Sequence, residues 1–118
     1  MLFVQYPKCT TCKKAEAWLK ENKADYESRN IKDSNPTAEE LKAWIAESGL
    51  PVRKFFNTSG LLYKELQLKD KLGSMSDEEM ITLLASDGML VKRPLLIGEK
   101  KVCVGFREPE WEKAVKDN

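Results

Sequence analysis

The hydrophobic pattern at the start of the chain predicts a strand, a helix and a second strand. Residues 2–6 are a short, mainly apolar run that ends at Pro7, which is typical of a buried strand. From residue 10 or 11 to about 22, apolar positions recur three and four apart among lysines and glutamates, which predicts a helix with one buried face. Residues 25–31 are a weaker strand candidate. A strand, helix and strand within about thirty residues indicate a parallel βαβ unit.

The middle of the chain predicts helices. Two capping boxes, each a hydroxyl residue followed three positions later by glutamate, open helices that are expected to end near residues 48 and 86. Residues 51–56 and 61–68 each predict a further short helix. The two boxes are Thr37 with Glu40 and Ser76 with Glu79.

Near the C-terminal end the pattern changes to short apolar runs. Residues 94–97 and 102–104 flank a turn at 98–100, which predicts a β-hairpin. Acidic residues and Pro109 then open a last helix at Glu108. The order βαβ, helices, ββα predicts a single α/β domain with one mixed four-stranded sheet and a helical insertion between the two halves.

Composition excludes several classes of function. The chain has 118 residues and a net charge of +1, which gives no field to hold nucleic acid or an anionic membrane. No apolar run reaches the roughly 18 residues of a membrane span, and the start of the chain has no signal-peptide pattern. Three cysteines are too few for a secreted disulfide scaffold. We therefore expect a cytoplasmic protein without direct nucleic-acid or membrane partners.

The chain contains no histidine. This excludes Ser–His and Cys–His nucleophile pairs and histidine-rich metal sites, so a nucleophile must be activated by local electrostatics. Cysteine suits that requirement, because stabilising the thiolate is enough to activate it. We expect neither a metal nor another cofactor.

A CxxC motif at Cys9 and Cys12 lies at the junction of the first strand and the first helix. Two thiols at this spacing can close a small disulfide, and Cys9 at the helix start meets free backbone N–H groups that favour a thiolate. Lys8 and Lys13 add positive charge nearby. We predict that Cys9 is the nucleophile and that Cys12, one turn further and better shielded, resolves the intermediate.

Other interpretations of the cysteines remain open. Two structural cysteines, or half of a zinc site, would show the same spacing. Zinc would need four ligands, and Cys103 supplies only a third thiol. The alternation around Cys103 indicates a half-buried strand residue, although it could also be a third redox thiol.

Two arginines near the hairpin are candidates for anion or thiolate binding. Arg93 precedes Pro94, and an X–Pro bond is the one type at which a cis peptide costs little; an ordinary trans proline beginning an edge strand remains the alternative. Arg107 follows a predicted strand end. Its guanidinium could hold an oxyanion or thiolate, or could pair with Glu108 or Glu110 on the surface.

Four segments together resemble the arsenate reductase family, which includes the Spx-type redox regulators of transcription. The similarity is greatest to short bacterial members and covers nearly the whole chain. It implies a thioredoxin-like fold with its core at about 1–34 and 90–118 and a helical insertion at about 35–89, and it favours a cis bond at Pro94. The segments are YPKCTTCKKA at 6–15, FNTSG at 56–60, KRPL at 92–95 and VGF at 104–106.

The resemblance also implies roles for single residues. In arsenate reductases one cysteine attacks the arsenic oxyanion, and three arginines hold the anion and the thiolate. Cys9 matches that cysteine, Arg93 the second arginine and Arg107 the third. The position of the first arginine is occupied by Asn57, and Arg53, one helical turn earlier, is a weak candidate to replace it. Loss of a guanidinium removes a bidentate clamp on the anion.

These features predict a thiol-based enzyme of the arsenate reductase-like class. Cys9 and Cys12 would form a disulfide, and a thioredoxin- or glutaredoxin-type donor would reduce it again. The alternative is an Spx-like redox-sensing regulator that binds RNA polymerase, through its α subunit, by protein contacts. Spx-type regulators share the CxxC, whereas glutathione-coupled reductases lack the cysteine that matches Cys12. A thioredoxin-like scaffold without catalysis is a third possibility.

Overall fold

Four strands form one mixed sheet in the computed structural model, which describes residues 1–117. Their order across the sheet is β2-β1-β3-β4. Strand β1 pairs parallel with β2 and antiparallel with β3, and β3 pairs antiparallel with β4. This confirms the predicted mixed sheet, a βαβ unit joined to a hairpin. The strands are β1 (Leu2–Gln5), β2 (Glu27–Asn30), β3 (Leu95–Ile97) and β4 (Val102–Val104).

Helices make up most of the remaining structure in residues 1–117. None of the helices in this range is both long and apolar enough to cross a bilayer. The α-helices are α1 (Thr10–Glu21), α2 (Ala38–Ser48), α3 (Leu61–Glu65), α4 (Leu68–Lys71), α5 (Asp77–Ser86) and α6 (Glu108–Asp117). Short 3₁₀ helices lie at Val52–Phe55, Leu72–Ser74 and Gly88–Leu90.

Both predicted capping boxes form. The Thr37 hydroxyl accepts from the Glu40 backbone N–H at 3.1 Å, and the Glu40 carboxylate accepts from the Thr37 N–H at 3.0 Å. Ser76 and Glu79 repeat the arrangement at the start of α5, at 3.1 and 3.0 Å. Each box satisfies two backbone donors that a helix start leaves unpaired.

The helix predicted over residues 61–68 forms only at Leu61–Glu65, so its predicted extent to residue 68 is wrong. Gln67 has a φ of +54°, in the left-handed region, and separates α3 from α4. The break changes the direction of the chain. As a result, Leu61 before it is 79% exposed, whereas Leu68 after it is 3% exposed and packs in the core. Burial of Leu68 against the rest of the insertion therefore overrides the continuous helix that local sequence favours.

The two faces of the sheet are covered by different parts of the chain. On one face, Phe3, Leu96 and Cys103 form a row of paired positions across β1, β3 and β4. The alternating neighbours Val4 and Leu95 face the opposite side and join the cluster formed with the helical insertion. The first row packs against α1 and α6 through Ala15, Leu19, Trp111 and Ala114.

Backbone hydrogen bonds fasten the insertion to the segment that enters β3. The Asn57 N–H donates to the Leu90 carbonyl at 2.7 Å, and the Lys92 N–H donates to the Phe55 carbonyl at 2.7 Å. These bonds lie beside a short antiparallel bridge between Phe56 and Val91. The segment after Phe56 is thereby held next to the Arg93–Pro94 peptide.

Candidate active site

Cys9 lies at the end of β1 where the chain turns into α1. It is the N-cap residue, with extended φ and ψ of −85° and 118°. The turn is fixed by the Cys9 N–H, which donates to the Tyr6 carbonyl at 3.0 Å. The Cys9 Sγ accepts from the backbone N–H of Cys12 at 3.3 Å. A half-buried sulfur is therefore held at the positive end of the α1 dipole.

Cys12 lies one turn further along α1 and is only 2% exposed. Burial and hydrogen bonding with the Cys9 side chain raise the pKa of Cys12 to about 12. The backbone of Tyr6 and the charge of Arg93 act in the opposite direction on that pKa. Cys12 is consequently a protonated thiol at neutral pH.

An open cleft with a volume of about 340 Å³ contains Cys9. It is formed where the start of α1, the segment after Phe56, the approach to β3 and the end of β4 meet. Three of its lining side chains are cationic, so the cleft suits a negatively charged group next to the Cys9 sulfur. The lining residues are Cys9, Thr11, Asn57, Ser59, Lys92, Arg93, Val104, Gly105, Phe106 and Arg107.

Arg93 is held by contacts that the fold supplies around it. Its guanidinium lies 5.1 Å from the centre of the Tyr6 ring. Its Nη1 donates to the carbonyls of Met89 and Val91 at 3.5 and 3.4 Å. Its Nε is buried without a hydrogen-bond partner among residues 1–117. The Arg93–Pro94 bond is cis.

Arg107 also lines the cleft. Its side chain is 72% exposed, and its Nη1 is 4.0 Å from a carboxylate oxygen of Glu110. Arg107 therefore lines the cleft and also forms a weak surface ion pair with Glu110, which was one of the alternatives considered from the sequence. Just before it, Gly105 adopts a φ of +77°, and its carbonyl accepts from the Trp111 Nε1 at 2.9 Å.

Aromatic packing supports the wall of the cleft next to Arg107. The rings of Phe106 and Trp111 have centres 5.0 Å apart in an edge-to-face arrangement. Trp18 of α1 completes the group, with its ring centre 6.1 Å from Phe106 and 6.2 Å from Trp111. Phe106 thus connects the cleft to the packing between α1 and α6.

Three of the other candidate residues lie away from the cleft. Arg53 lines a separate cavity of about 710 Å³, on the insertion, and does not line the Cys9 cleft. Lys8 and Lys13 flank the motif but are exposed side chains outside the lining. The structure therefore brings together Cys9, Arg93 and Arg107, with Asn57 where the resemblance expects the first arginine.

Sequence reasoning did not single out Lys92 and Ser59 as site residues, although both line the cleft. Both belong to segments on which the resemblance rested, KRPL and FNTSG. The resemblance identified these two segments, but it did not indicate which of their side chains would face Cys9. The orientation is set by the hydrogen bond from Lys92 to Phe55, which joins positions far apart in the chain.

Cys103 lies in a different environment, within the cluster beneath α1 and α6. It is 2% exposed, so the expected half-buried position is wrong; the residue is fully enclosed. Its Sγ lies 3.8 Å from the Glu110 carbonyl. Burial raises the pKa of the Cys103 thiol. It does not line the Cys9 cleft.

Comparison with known proteins places this site in a family, because the model of the ArsC family matches residues 4–114. The chain belongs to the ArsC family. Among solved structures, this ArsC-family chain is similar to a putative ArsC family related protein from Bacteroides fragilis. The two are 62% identical with a TM-score of 0.94, and the match covers 96% of this chain and 95% of that one.

Relatives of this ArsC-family protein include proteins named as enzymes and proteins named as regulators. It is 50% identical to a possible arsenate reductase from Streptococcus mutans UA159, with a TM-score of 0.84 and 90% of each chain covered. It is 32% identical over 104 residues to the global transcriptional regulator Spx of Enterococcus faecalis, which covers 88% of this chain and 77% of the regulator. The fold is thus the thioredoxin-like fold of the ArsC family.

Proposed function

We propose that this ArsC-family protein is a cytoplasmic thiol–disulfide reductase in which Cys9 is the nucleophile and Cys12 is the resolving thiol. The observation that carries this is the contrast within the CxxC motif. The Cys9 sulfur lines an open cleft at a helix start, whereas Cys12 is 2% exposed one turn further on. An accessible thiolate followed by a shielded thiol is the arrangement that thiol–disulfide exchange requires.

The reaction proceeds in two exchanges. The Cys9 thiolate attacks one sulfur of a substrate disulfide; a Cys9–substrate disulfide forms, and the other substrate sulfur leaves as a thiolate and takes a proton from solvent. Cys12 then loses its proton and attacks the Cys9 sulfur, which releases the second substrate thiolate. Two electrons pass to the substrate, and the protein is left with a Cys9–Cys12 disulfide. A thioredoxin- or glutaredoxin-type dithiol donor reduces that disulfide.

The raised pKa of Cys12 explains why Cys12 attacks only after the mixed disulfide has formed on Cys9. Part of what raises that pKa to about 12 is the hydrogen bond and the charge of Cys9. Once Cys9 is in a mixed disulfide it carries no charge, so these two effects disappear, whereas the favourable effects of the Tyr6 backbone and Arg93 remain. The thiol therefore becomes easier to ionise only when its target has formed.

Disulfides fit the cleft better than arsenate does. Asn57 supplies a neutral amide where arsenate reductases have the first of their three arginines, and Arg53 lines another cavity. A site that clamps arsenate, a mixture of mono- and dianion at neutral pH, loses most from this change, because a bidentate guanidinium contact is charge-assisted. A departing thiolate carries one negative charge and needs less neutralisation, for which Arg93, Lys92 and Arg107 suffice.

A redox titration followed by mass spectrometry tests the proposal. The protein is equilibrated with thiol–disulfide buffers, with and without arsenate, and the expected product is one intramolecular Cys9–Cys12 disulfide with Cys103 still a thiol. A Cys12→Ser variant should accumulate the mixed disulfide on Cys9. Failure to form either species in buffers that oxidise thioredoxin-type proteins would remove the reductase. Oxidation that depends on arsenate would instead identify arsenate as the substrate.

A second candidate function is an Spx-like redox sensor that binds RNA polymerase through protein contacts. The likeness to the Enterococcus faecalis regulator favours it, and the same disulfide would act as the switch. A pull-down with the C-terminal domain of the polymerase α subunit distinguishes the two. Binding that differs between the reduced and oxidised protein supports the sensor, and no binding in either state excludes it.

A further inference from the structure

A second cleft adjoins the Cys9 cleft, and the two meet at a shared wall. The second has a volume of about 570 Å³. Asn57, Ser59 and Arg93 line both. The two clefts are therefore adjacent, and we call them together the groove; the Cys9 sulfur lines one of the two. The additional lining residues of the second cleft are Gly60, Leu61, Leu62, Glu65, Asp87 and Met89.

The two ends of this groove differ in chemistry. The end that contains Cys9 adds the cations Lys92 and Arg107 to the shared Arg93. The far end is lined by Leu61, Leu62 and Met89, and it also has the acidic residues Glu65 and Asp87 and no cation besides the shared Arg93. Leu61 is 79% exposed, the most exposed of the large hydrophobic side chains in residues 1–117. A leucine this open within a groove gains free energy only when a ligand covers it.

The size of the groove also bears on its occupant. A tetrahedral oxyanion fills the space of a few water molecules, on the order of 100 Å³ at about 30 Å³ per water. The Cys9 cleft alone is about 340 Å³, and the adjoining cleft adds about 570 Å³. Grooves of this volume accommodate ligands with several side chains.

We infer that the groove binds an extended segment of a protein disulfide, with an acidic side chain of the segment near Lys92 and Arg107 and an apolar side chain against Leu61 and Met89. The inference rests on the proposed function and names its substrate class. The covalent steps are the two exchanges given above, with one substrate sulfur seated at Cys9. Charge complementarity at one end and burial of Leu61 at the other select the segment.

The test compares two disulfide substrates. One is a peptide disulfide with Glu on one side of the cysteine and Leu on the other. The peptide is prepared in both sequence orders, and the order with the higher kcat/KM is used. The other is 2-hydroxyethyl disulfide, which has no side chains to fill the groove. We expect wild-type kcat/KM to be at least tenfold higher for the peptide, and a Leu61→Ser variant to lower the ratio of the two kcat/KM values about tenfold.

A matched control is available in Leu50→Ser. Leu50 is also exposed, at 41%, but lines the separate cavity that contains Arg53. We expect this variant to leave the ratio unchanged. Because Leu61 is 79% exposed, its replacement should leave the urea unfolding midpoint close to that of wild type, which verifies folding.

Charge is tested with a peptide in which Lys replaces Glu. We expect its kcat/KM to be about tenfold lower than that of the Glu peptide in 50 mM salt, with the difference shrinking in 0.5 M salt. Equal use of both peptides, or a Leu61→Ser ratio equal to wild type, overturns the inference while leaving the reductase intact. Absence of turnover with both disulfides means that the proposed function itself fails.

Discussion

Two regions of this molecule carry the same functional group in opposite circumstances. At the start of α1, the Cys9 sulfur accepts a backbone N–H at 3.3 Å and lines an open cleft. In β4, Cys103 is 2% exposed and packs among apolar side chains between the sheet and its two helices. The comparison teaches that exposure and nearby backbone dipoles decide the chemistry of a thiol, since the residue type is identical.

Cys12 combines features of both regions. It is as buried as Cys103, yet it adjoins Cys9, and its pKa depends on the state of that residue. Under the proposed mechanism, burial alone does not make Cys12 inert. What distinguishes Cys12 from Cys103 is its interaction with the Cys9 side chain, which the proposed mechanism makes its target.

The largest effect is expected on turnover. A Cys9→Ser variant should lose disulfide reduction by at least about a thousandfold, because the hydroxyl is not a nucleophile at neutral pH. Cys103→Ala should stay within about twofold of wild type. Both are measured by donor-coupled reduction of 2-hydroxyethyl disulfide. A large loss in Cys103→Ala, with its fold intact, would mean that the sheet cysteine takes part in the reaction.

Alkylation should separate the three thiols by rate. With iodoacetamide at pH 6 to 9, we expect Cys9 to react at least about tenfold faster than Cys12 and Cys103, as followed by peptide mass spectrometry. Cys12 stays protonated over this range because its pKa is raised to about 12, and burial raises the pKa of Cys103. In denaturant the three rates should converge. Equal rates for Cys9 and Cys12 in the folded protein would contradict the assignment of the nucleophile.

For stability we expect the reverse of the result for turnover: substitution of Cys103 should change the free energy of urea unfolding more than substitution of Cys9. Cys103→Ala leaves a small void in a packed cluster and should lower the free energy of unfolding by about 1 kcal/mol. Cys9→Ser should change it by less than about 0.5 kcal/mol, or raise it, since serine is a preferred N-cap residue. A destabilisation of Cys9→Ser larger than that of Cys103→Ala would show that Cys9 has a structural role.

The smallest effect concerns the lysines around the motif. Lys13→Gln should slow alkylation of Cys9 by less than about threefold in 20 mM salt, and the difference should vanish in 0.5 M salt. Lys13 is exposed and outside the cleft lining, so solvent and ions screen its charge. A salt-independent effect larger than tenfold would assign Lys13 a direct part at the sulfur.

Local sequence was enough to predict the elements that depend on local interactions. The two capping boxes pair residues three positions apart, and the strands of the hairpin follow from short apolar runs and a turn. The order of these elements predicted the mixed sheet, and the resemblance added the thioredoxin-like fold and the roles of Arg93 and Arg107. By contrast, the break at Gln67 depends on burial of Leu68 by distant residues, which no local pattern records.

The cleft itself was predictable only in part. Cys9, Arg93 and Arg107 were candidates from the sequence, and all three line it. Lys92 was missed, because its orientation follows from a hydrogen bond to Phe55 that local reasoning cannot see. The position of Arg53 likewise depends on how the insertion packs, which sets it in another cavity.

The contact of Phe106 with two indoles has a practical consequence. Trp18 and Trp111 pack directly behind a residue that lines the cleft, whereas Trp44 lies in the cluster on the opposite face of the sheet. A ligand that shifts Phe106 alters the surroundings of two of the chain's three tryptophans. Intrinsic fluorescence thus offers a label-free signal of occupancy next to Cys9, with Trp44 as an internal reference.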